Sequence, residues 1–283
     1  MWTRVAIAAL ALALVLAATL RLAERRFESA GDAVAERLRA SAARPSVPRY
    51  DPSELEGLPA PVSRYLRAVL RAGQPIVTRA RIEWRGEFNM GRPGQDRWRP
   101  FTAHQEFVPN APGFVWNARV AMAPGVPVLV RDGFAFGEGS MHAAVFGLVK
   151  VADVAGTKAI AAAALQRYLG EALWFPTALL PSQGIGWTPI DDRRARASLE
   201  AGGTKVALEF RFGPDDLVAE VFAPDRSYDD GRHPPVPRPW RARLLRYAER
   251  QGTQVPVDAV VEWQLPEGDF PYWRGQPLSI RLD

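Results

Sequence analysis

Residues 81–90 alternate without exception. Ile82, Trp84, Gly86, Phe88 and Met90 take the even positions, and Arg81, Glu83, Arg85, Glu87 and Asn89 the odd ones. Successive side chains of a strand point to opposite faces, so this segment reads as a strand with one dry and one wet face. The pattern returns at Val206, Leu208, Phe210 and Phe212 against Lys205, Glu209 and Arg211. It returns again at Val257, Ala259, Val261, Trp263 and Leu265 against Asp258, Glu262 and Gln264, and at Leu278, Ile280 and Leu282 against Ser279, Arg281 and Asp283. Weaker strand patterns occupy 99–108, 113–122, 126–131, 134–141, 194–200, 216–223 and 241–249. Asp132-Gly133, Gly202-Gly203, Gly213-Pro214-Asp215-Asp216 and Gln251-Gly252 read as tight turns between them, which favours antiparallel pairing.

Two helices interrupt the strands. After Pro61, the residues Val62, Tyr65, Leu66, Val69 and Leu70 follow helical spacing, with Gly73 and Pro75 as stop signals. Thr157 is a fitting N-cap for a longer helix whose apolar face is Ile160, Ala161, Ala164, Leu165, Tyr168, Leu169, Ala172 and Leu173. The order is therefore helix, strands, helix, strands, without the βαβ alternation of a Rossmann or barrel enzyme. A large sheet wet on one face must curl to cover the other. The expected fold is α+β, mainly β: a strongly curved antiparallel half-barrel of about 10–12 strands wrapping a long central helix.

The chain opens differently. Val5 to Leu20 is an unbroken apolar run, preceded by Arg4 and followed by Arg21, Arg25 and Arg26. At about 1.5 Å per residue it spans roughly 24 Å, a little less than a hydrocarbon core. Residues 1–26 are expected to be a transmembrane anchor; a cleaved signal peptide is the alternative, although Ala17-Ala18-Thr19 is a poor cleavage signal. Residues 27–57 read as a tether: a short helix over 27–40, then Pro45, Pro48, Pro52, Pro59 and Pro61 punctuating an extended stretch. A single half-barrel domain then occupies 58–283. Three arginines after the apolar run would place that domain in the cytoplasm. The lack of cysteine and the signal-like start favour a periplasmic domain on a single-pass inner-membrane anchor.

Composition removes several function classes. Without cysteine there are no disulfides, thiolate metal sites or catalytic thiols, and the three histidines, His104, His142 and His233, are too few for a histidine-rich metal centre. No metal or cofactor is expected. The formal charge of +5 is spread through the chain without a basic run, so nucleic acid is not an expected partner.

The blocks LPAPVSRYLRAVLRAGQP (58–75), FVWNARV (114–120), YLGEALWFPTALLP (168–181) and PVDAVVEWQLPEGDFPYWRG (256–275) resemble an uncharacterised bacterial family, a domain of unknown function, over about residues 57–283. WFPTALLP is the most specific part, and no activity comes with the resemblance. More remotely, the order of elements is similar to lipoprotein carriers of the LolA/LolB type, half-barrels that hold acyl chains under a helical lid. The segment LLRYAERQGTQVPVDAVVEW (244–263) resembles their paired late strands.

Three functional readings follow. The first is a membrane-anchored, non-catalytic protein of the bacterial envelope that binds a lipid or other hydrophobic ligand. Its groove would be lined by Trp84, Phe101, Trp116, Phe136, Trp174, Phe175 and Trp263, with the Trp-Phe-Pro-Thr segment as rim or lid. In the second, the same aromatics are a filled core and the protein is an envelope interaction or regulatory module whose partner the sequence does not name. The third is a hydrolase using Asp191, Asp192 and a histidine. Asp191-Asp192 also reads as a solvated turn, His104 as a water-facing strand residue, and Gly137-Glu138-Gly139 as a hairpin bend or bulge rather than a phosphate loop.

Overall fold

The computed structural model describes residues 1–41, 47–229 and 234–283; Pro45 and His233 fall outside them. Thirteen strands form one antiparallel sheet in the order β6-β5-β4-β3-β2-β1-β13-β12-β11-β10-β9-β8-β7. The first six are β1 (Ala80–Asn89), β2 (Trp98–Val108), β3 (Gly113–Ala123), β4 (Val126–Ala135), β5 (Glu138–Val145) and β6 (Val149–Ala155). After the helix α3 (Lys158–Glu171) come β7 (Gly186–Asp191), β8 (Arg194–Ala201), β9 (Thr204–Phe212), β10 (Val218–Tyr228), β11 (Val236–Arg250), β12 (Thr253–Leu265) and β13 (Gly268–Leu282). The chain thus lays down one wing, crosses over through α3, and returns from the far edge until β13 pairs with β1, Ile82 opposite Ile280.

The sheet is strongly curved. α3 packs against β3, β4, β5 and β6 and also against β9 and β10. In a flat sheet β4 and β9 would lie about 38 Å apart at roughly 4.8 Å per strand, so one helix touches both only because the wings curl round it. Thr157 caps α3, its Oγ1 accepting from the Ile160 N–H at 3.2 Å. Ala161, Ala164, Leu165, Tyr168 and Leu169 are buried, as the periodicity predicts; the small alanines let the helix lie close against the strands. A second helix, α2 (Ala60–Val69), buries Val62, Tyr65, Leu66 and Val69 against β8 and β12.

The sequence placed a turn at Asp132-Gly133, but β4 runs through both residues. The chain reverses at Phe136-Gly137, which take positive φ of 56° and 84°. Asp132 is instead held in the strand by a buried arginine described below. β6 and β7, the two edge strands, lack alternation and were not legible as strands; they bring the total to thirteen.

The N-terminal region also differs from the expected tether. α1 is one continuous helix, Trp2–Ser41. Its apolar first half is exposed, and it is long and apolar enough to cross a membrane, which fits an anchor or a signal sequence alike. Residues 27–40 are not a separate short helix. They continue α1, whose second half lies on the convex face of β2, β3 and β4. Ala23, Gly31, Ala35 and Leu38 are its buried stripe. Arg39 ends it in an ion pair, 2.6 Å from Glu106 on β2, and Arg79 holds the other oxygen of the same buried carboxylate at 2.8 Å. Beyond the undescribed residues, Tyr50 and Leu55 enter the core, so residues 47–57 are not a spacer either.

Candidate functional site

Five of the seven aromatics expected to line a groove meet in the packed interior. Trp84 lies edge-on to Trp174 at 5.1 Å between ring centroids, Phe101 to Trp116 at 5.8 Å, and Phe175 lies 4.5 Å from Phe107. All five are buried, Phe175 completely. The space between α3 and the sheet is therefore filled, as interiors of native density are. The WFPTALLP block is part of this filling rather than a rim. The Trp174 indole donates to the Pro256 carbonyl at 2.8 Å, and the Thr177 hydroxyl accepts from the Val77 N–H at 3.0 Å. Phe136 stands apart from these five: it is 51% exposed in the β4–β5 turn, with the Arg37 guanidinium of α1 5.0 Å from its ring.

Trp263 is placed differently. It stands half-buried near the end of β12, its ring 5.0 Å from Tyr228 and 6.1 Å from Tyr272. These rings wall an open cleft of about 880 Å³ at the ends of β1, β10, β11, β12 and β13. Val236, Leu265 and Phe270 add apolar wall, and Arg92 and Arg238 bring positive charge beside Asp229 and Glu267. Alternation along β12 made Trp263 legible. Its partners were not, because they come from three hairpins that only strand pairing brings together.

A polar relay lies deeper, and no sequence signal marked it. The Trp84 indole donates to Gln105 at 2.9 Å, Gln105 donates to Glu171 at 2.7 Å, and Arg167 donates to Glu171 at 2.9 Å and to Asp132. The Arg167 guanidinium also sits over the rings of Phe114 and Trp116, about 5 Å from each. Burial disfavours its charge, but Glu171 and Asp132 outweigh burial and hold it protonated. Glu171 has only a share of that arginine. Burial wins there and pushes its carboxyl above the usual range. Beyond it, Arg226 donates to the Ala163 carbonyl at 3.1 Å and lies over Trp240, whose indole donates to the Tyr272 hydroxyl at 3.0 Å. The relay and this arginine thus carry the packed interior towards the cleft wall.

Among the described residues, the acidic pair does not meet a histidine in one site. Asp191 accepts the Arg193 N–H at 2.9 Å and the Arg194 guanidinium at 2.7 Å. These bonds, the backbone one first, hold its carboxyl below the usual range, the opposite of what a general acid needs. The Asp192 carbonyl accepts from Arg64. His104 pairs with Glu83 at 2.8 Å and His142 with Asp153 at 2.6 Å, both on strands remote from that turn. Gly137 belongs to a hairpin bend, as expected.

Residues 48–275 match the family of unknown function DUF6544, and the chain belongs to that family. No curated protein matches it. Among solved structures it is similar to a DUF1329 family protein from Desulfovibrio piger, at 13% identity and a TM-score of 0.41 over 83% of this chain and 94% of that one. It is similar also to a domain ascribed to outer membrane lipoprotein sorting from Vibrio parahaemolyticus, at 6% identity and 0.40 over 72% and 85%. A LolA superfamily protein from Nitrosomonas europaea matches at 10% identity and 0.36, again over 72% and 85%. At such scores these likenesses say nothing about what this chain binds.

Proposed function

We propose that this DUF6544 protein is a membrane-anchored, non-catalytic binding protein of the bacterial envelope, and that an acyl-chain amphiphile occupies the cleft around Trp263. The carrying observation is the cleft itself. About 880 Å³ is the size of small-molecule sites, and a lining that combines aromatic and aliphatic side chains with Arg92, Arg238, Asp229 and Glu267 suits one chain and one polar head. Val5–Leu20 serves as the inner-membrane anchor, and the body lies on the periplasmic side, in keeping with the absence of cysteine. An active alkaline phosphatase fused to the C-terminus supports that side; an inactive one beside a fluorescent cytoplasmic reporter supports the arginine count instead.

The packed aromatic interior favours a second reading, an interaction module whose working surface contacts another protein. Contact quenching separates the two. A lysophospholipid brominated on its chain should quench the tryptophan emission of the wild-type protein, and Trp263→Phe should remove much of that quenching. Emission indifferent to the brominated lipid speaks for the interaction module.

A further inference from the structure

The polypeptide of the β3–β4 hairpin carries no charge from Val120 to Val130, a stretch reading VAMAPGVPVLV. The β5–β6 hairpin is uncharged from Ala143 to Val149, reading AAVFGLV. Strand pairing sets the two tips side by side, and the Phe146 N–H donates to the Pro127 carbonyl at 3.1 Å. Leu148, Val149 and Val151 are 51%, 66% and 62% exposed, and Ala121, Ala123, Pro124 and Gly125 are exposed as well. Other large exposed apolar side chains of the described domain, such as Met90 just past β1, Ile190 on β7, Leu245 on β11 and Leu278 on β13, stand apart from one another in the sequence. An apolar cluster of this kind marks a contact surface.

Its place in the fold says what covers it. α1 runs antiparallel to β3, with Leu38 against Gly113, Gly31 against Asn117 and Glu24 paired with Arg119. β3 therefore carries its tip towards the N-terminal, apolar half of α1. The second tip is at the same level, since Gly147 touches Ala23 and Phe27. From Ala23 to Leu20, where the apolar run ends, the helix rises only about 5 Å. A run of roughly 24 Å in a core of about 30 Å draws its flanks into the bilayer surface. The helix has no break between its two halves that would let the domain stand away.

We infer that the β3–β4 and β5–β6 tips form an apolar lip that sits in the lipid surface beside α1, so that the domain is held against the bilayer in one orientation. The inference rests on Val5–Leu20 being a membrane anchor. Arg21 and Arg25, exposed on α1 at this level, would lie among the lipid phosphates. The binding cleft opens at the turns that follow β1, β10 and β12, on the same edge of the sheet as the lip.

The chain has no cysteine, so a single introduced one can be labelled uniquely. Leu148→Cys, Pro124→Cys and the distant exposed position Lys205→Cys would each carry a nitrobenzoxadiazole dye in the full-length protein, reconstituted in phosphatidylglycerol–phosphatidylethanolamine vesicles. Lipids spin-labelled near the headgroup should quench the dye at 148 and 124 severalfold more than at 205. Protein that floats with the vesicles but shows equal quenching at all three positions overturns the lip and leaves the anchor standing. Protein that does not float overturns both. Self-quenching that grows with protein density, without quenching by the spin label, overturns the lip in favour of two copies meeting at the β6 edge.

Discussion

Gly202, in the turn between β8 and β9, lies against Gly137, in the turn between β4 and β5. A Cβ built on Gly137 would fall 2.9 Å from the Gly202 Cα, and one built on Gly202 would overlap the Cα of Gly137. The two residues belong to opposite wings of the sheet, so this backbone contact is where the half-barrel nearly closes. Both take positive φ, as does the neighbouring Gly203, which has open space around its Cα. Gly203→Ala should cost only the backbone strain, of order 1–3 kcal/mol. Gly202→Ala should cost more, because the wings must also separate. Urea denaturation of both variants checks the difference; equal losses would mean that the contact does not hold the wings.

Leu38 fixes α1 to the domain. Its side chain is buried against Gly113, and the next residue, Arg39, makes the ion pair with Glu106. Leu38→Ala should lower the stability of the β domain by about 2–5 kcal/mol, the usual range for a large-to-small change at a buried site. A fragment starting at residue 21 should unfold like the full chain, whereas one starting at residue 47 should be clearly weaker. Guanidinium denaturation followed by tryptophan fluorescence measures all three. An α1 that served only as an anchor on a tether would leave every midpoint unchanged.

Glu171 gives the protein a specific response to pH. Its carboxyl titrates above the ordinary 4.5 because burial disfavours the charge. The folded state therefore holds this proton more tightly than the unfolded chain does. The stabilisation is complete below the unfolded value and is lost as pH rises through the higher folded value. Glu171→Gln removes that linkage. The stability of the wild type relative to Glu171→Gln should fall steadily as pH rises from about 4 towards neutrality. A relative stability that rises over that interval would mean that Arg167 dominates and the carboxyl is held low.

Local pattern shows where a side chain faces, but not which distant segment it meets. That is why α2, α3, the turn at Gly202-Gly203 and strands such as β1, β9 and β12 could be read from the chain. Their faces or φ requirements are written in adjacent residues. Phe136 shows the limit. It is expected to line the groove, but the positive φ of the turn carries it out to Arg37. α1 shows another. A short amphipathic helix with Phe27, Val34 and Leu38 is readable over 27–40, but the rest of the buried stripe, Ala23, Gly31 and Ala35, is too small-sided to register as an apolar face; it lets the helix backbone lie close to the sheet. Of the expected lining, Trp263 alone stands at the cleft; Tyr228 and Tyr272 join it from strands 35 residues before and nine residues after it.

Native mass spectrometry of the protein released gently from its own membranes is the most direct test of the cleft as a binding site. The wild type should carry one co-purifying acyl-chain amphiphile. Trp263→Asp should lose it while remaining folded, because this partly exposed position at the open cleft lets the carboxylate reach water. Trp116→Phe, a volume-reducing change in the packed interior, should keep it. A wild type that arrives without any adduct, or an adduct that survives Trp263→Asp, would contradict the account.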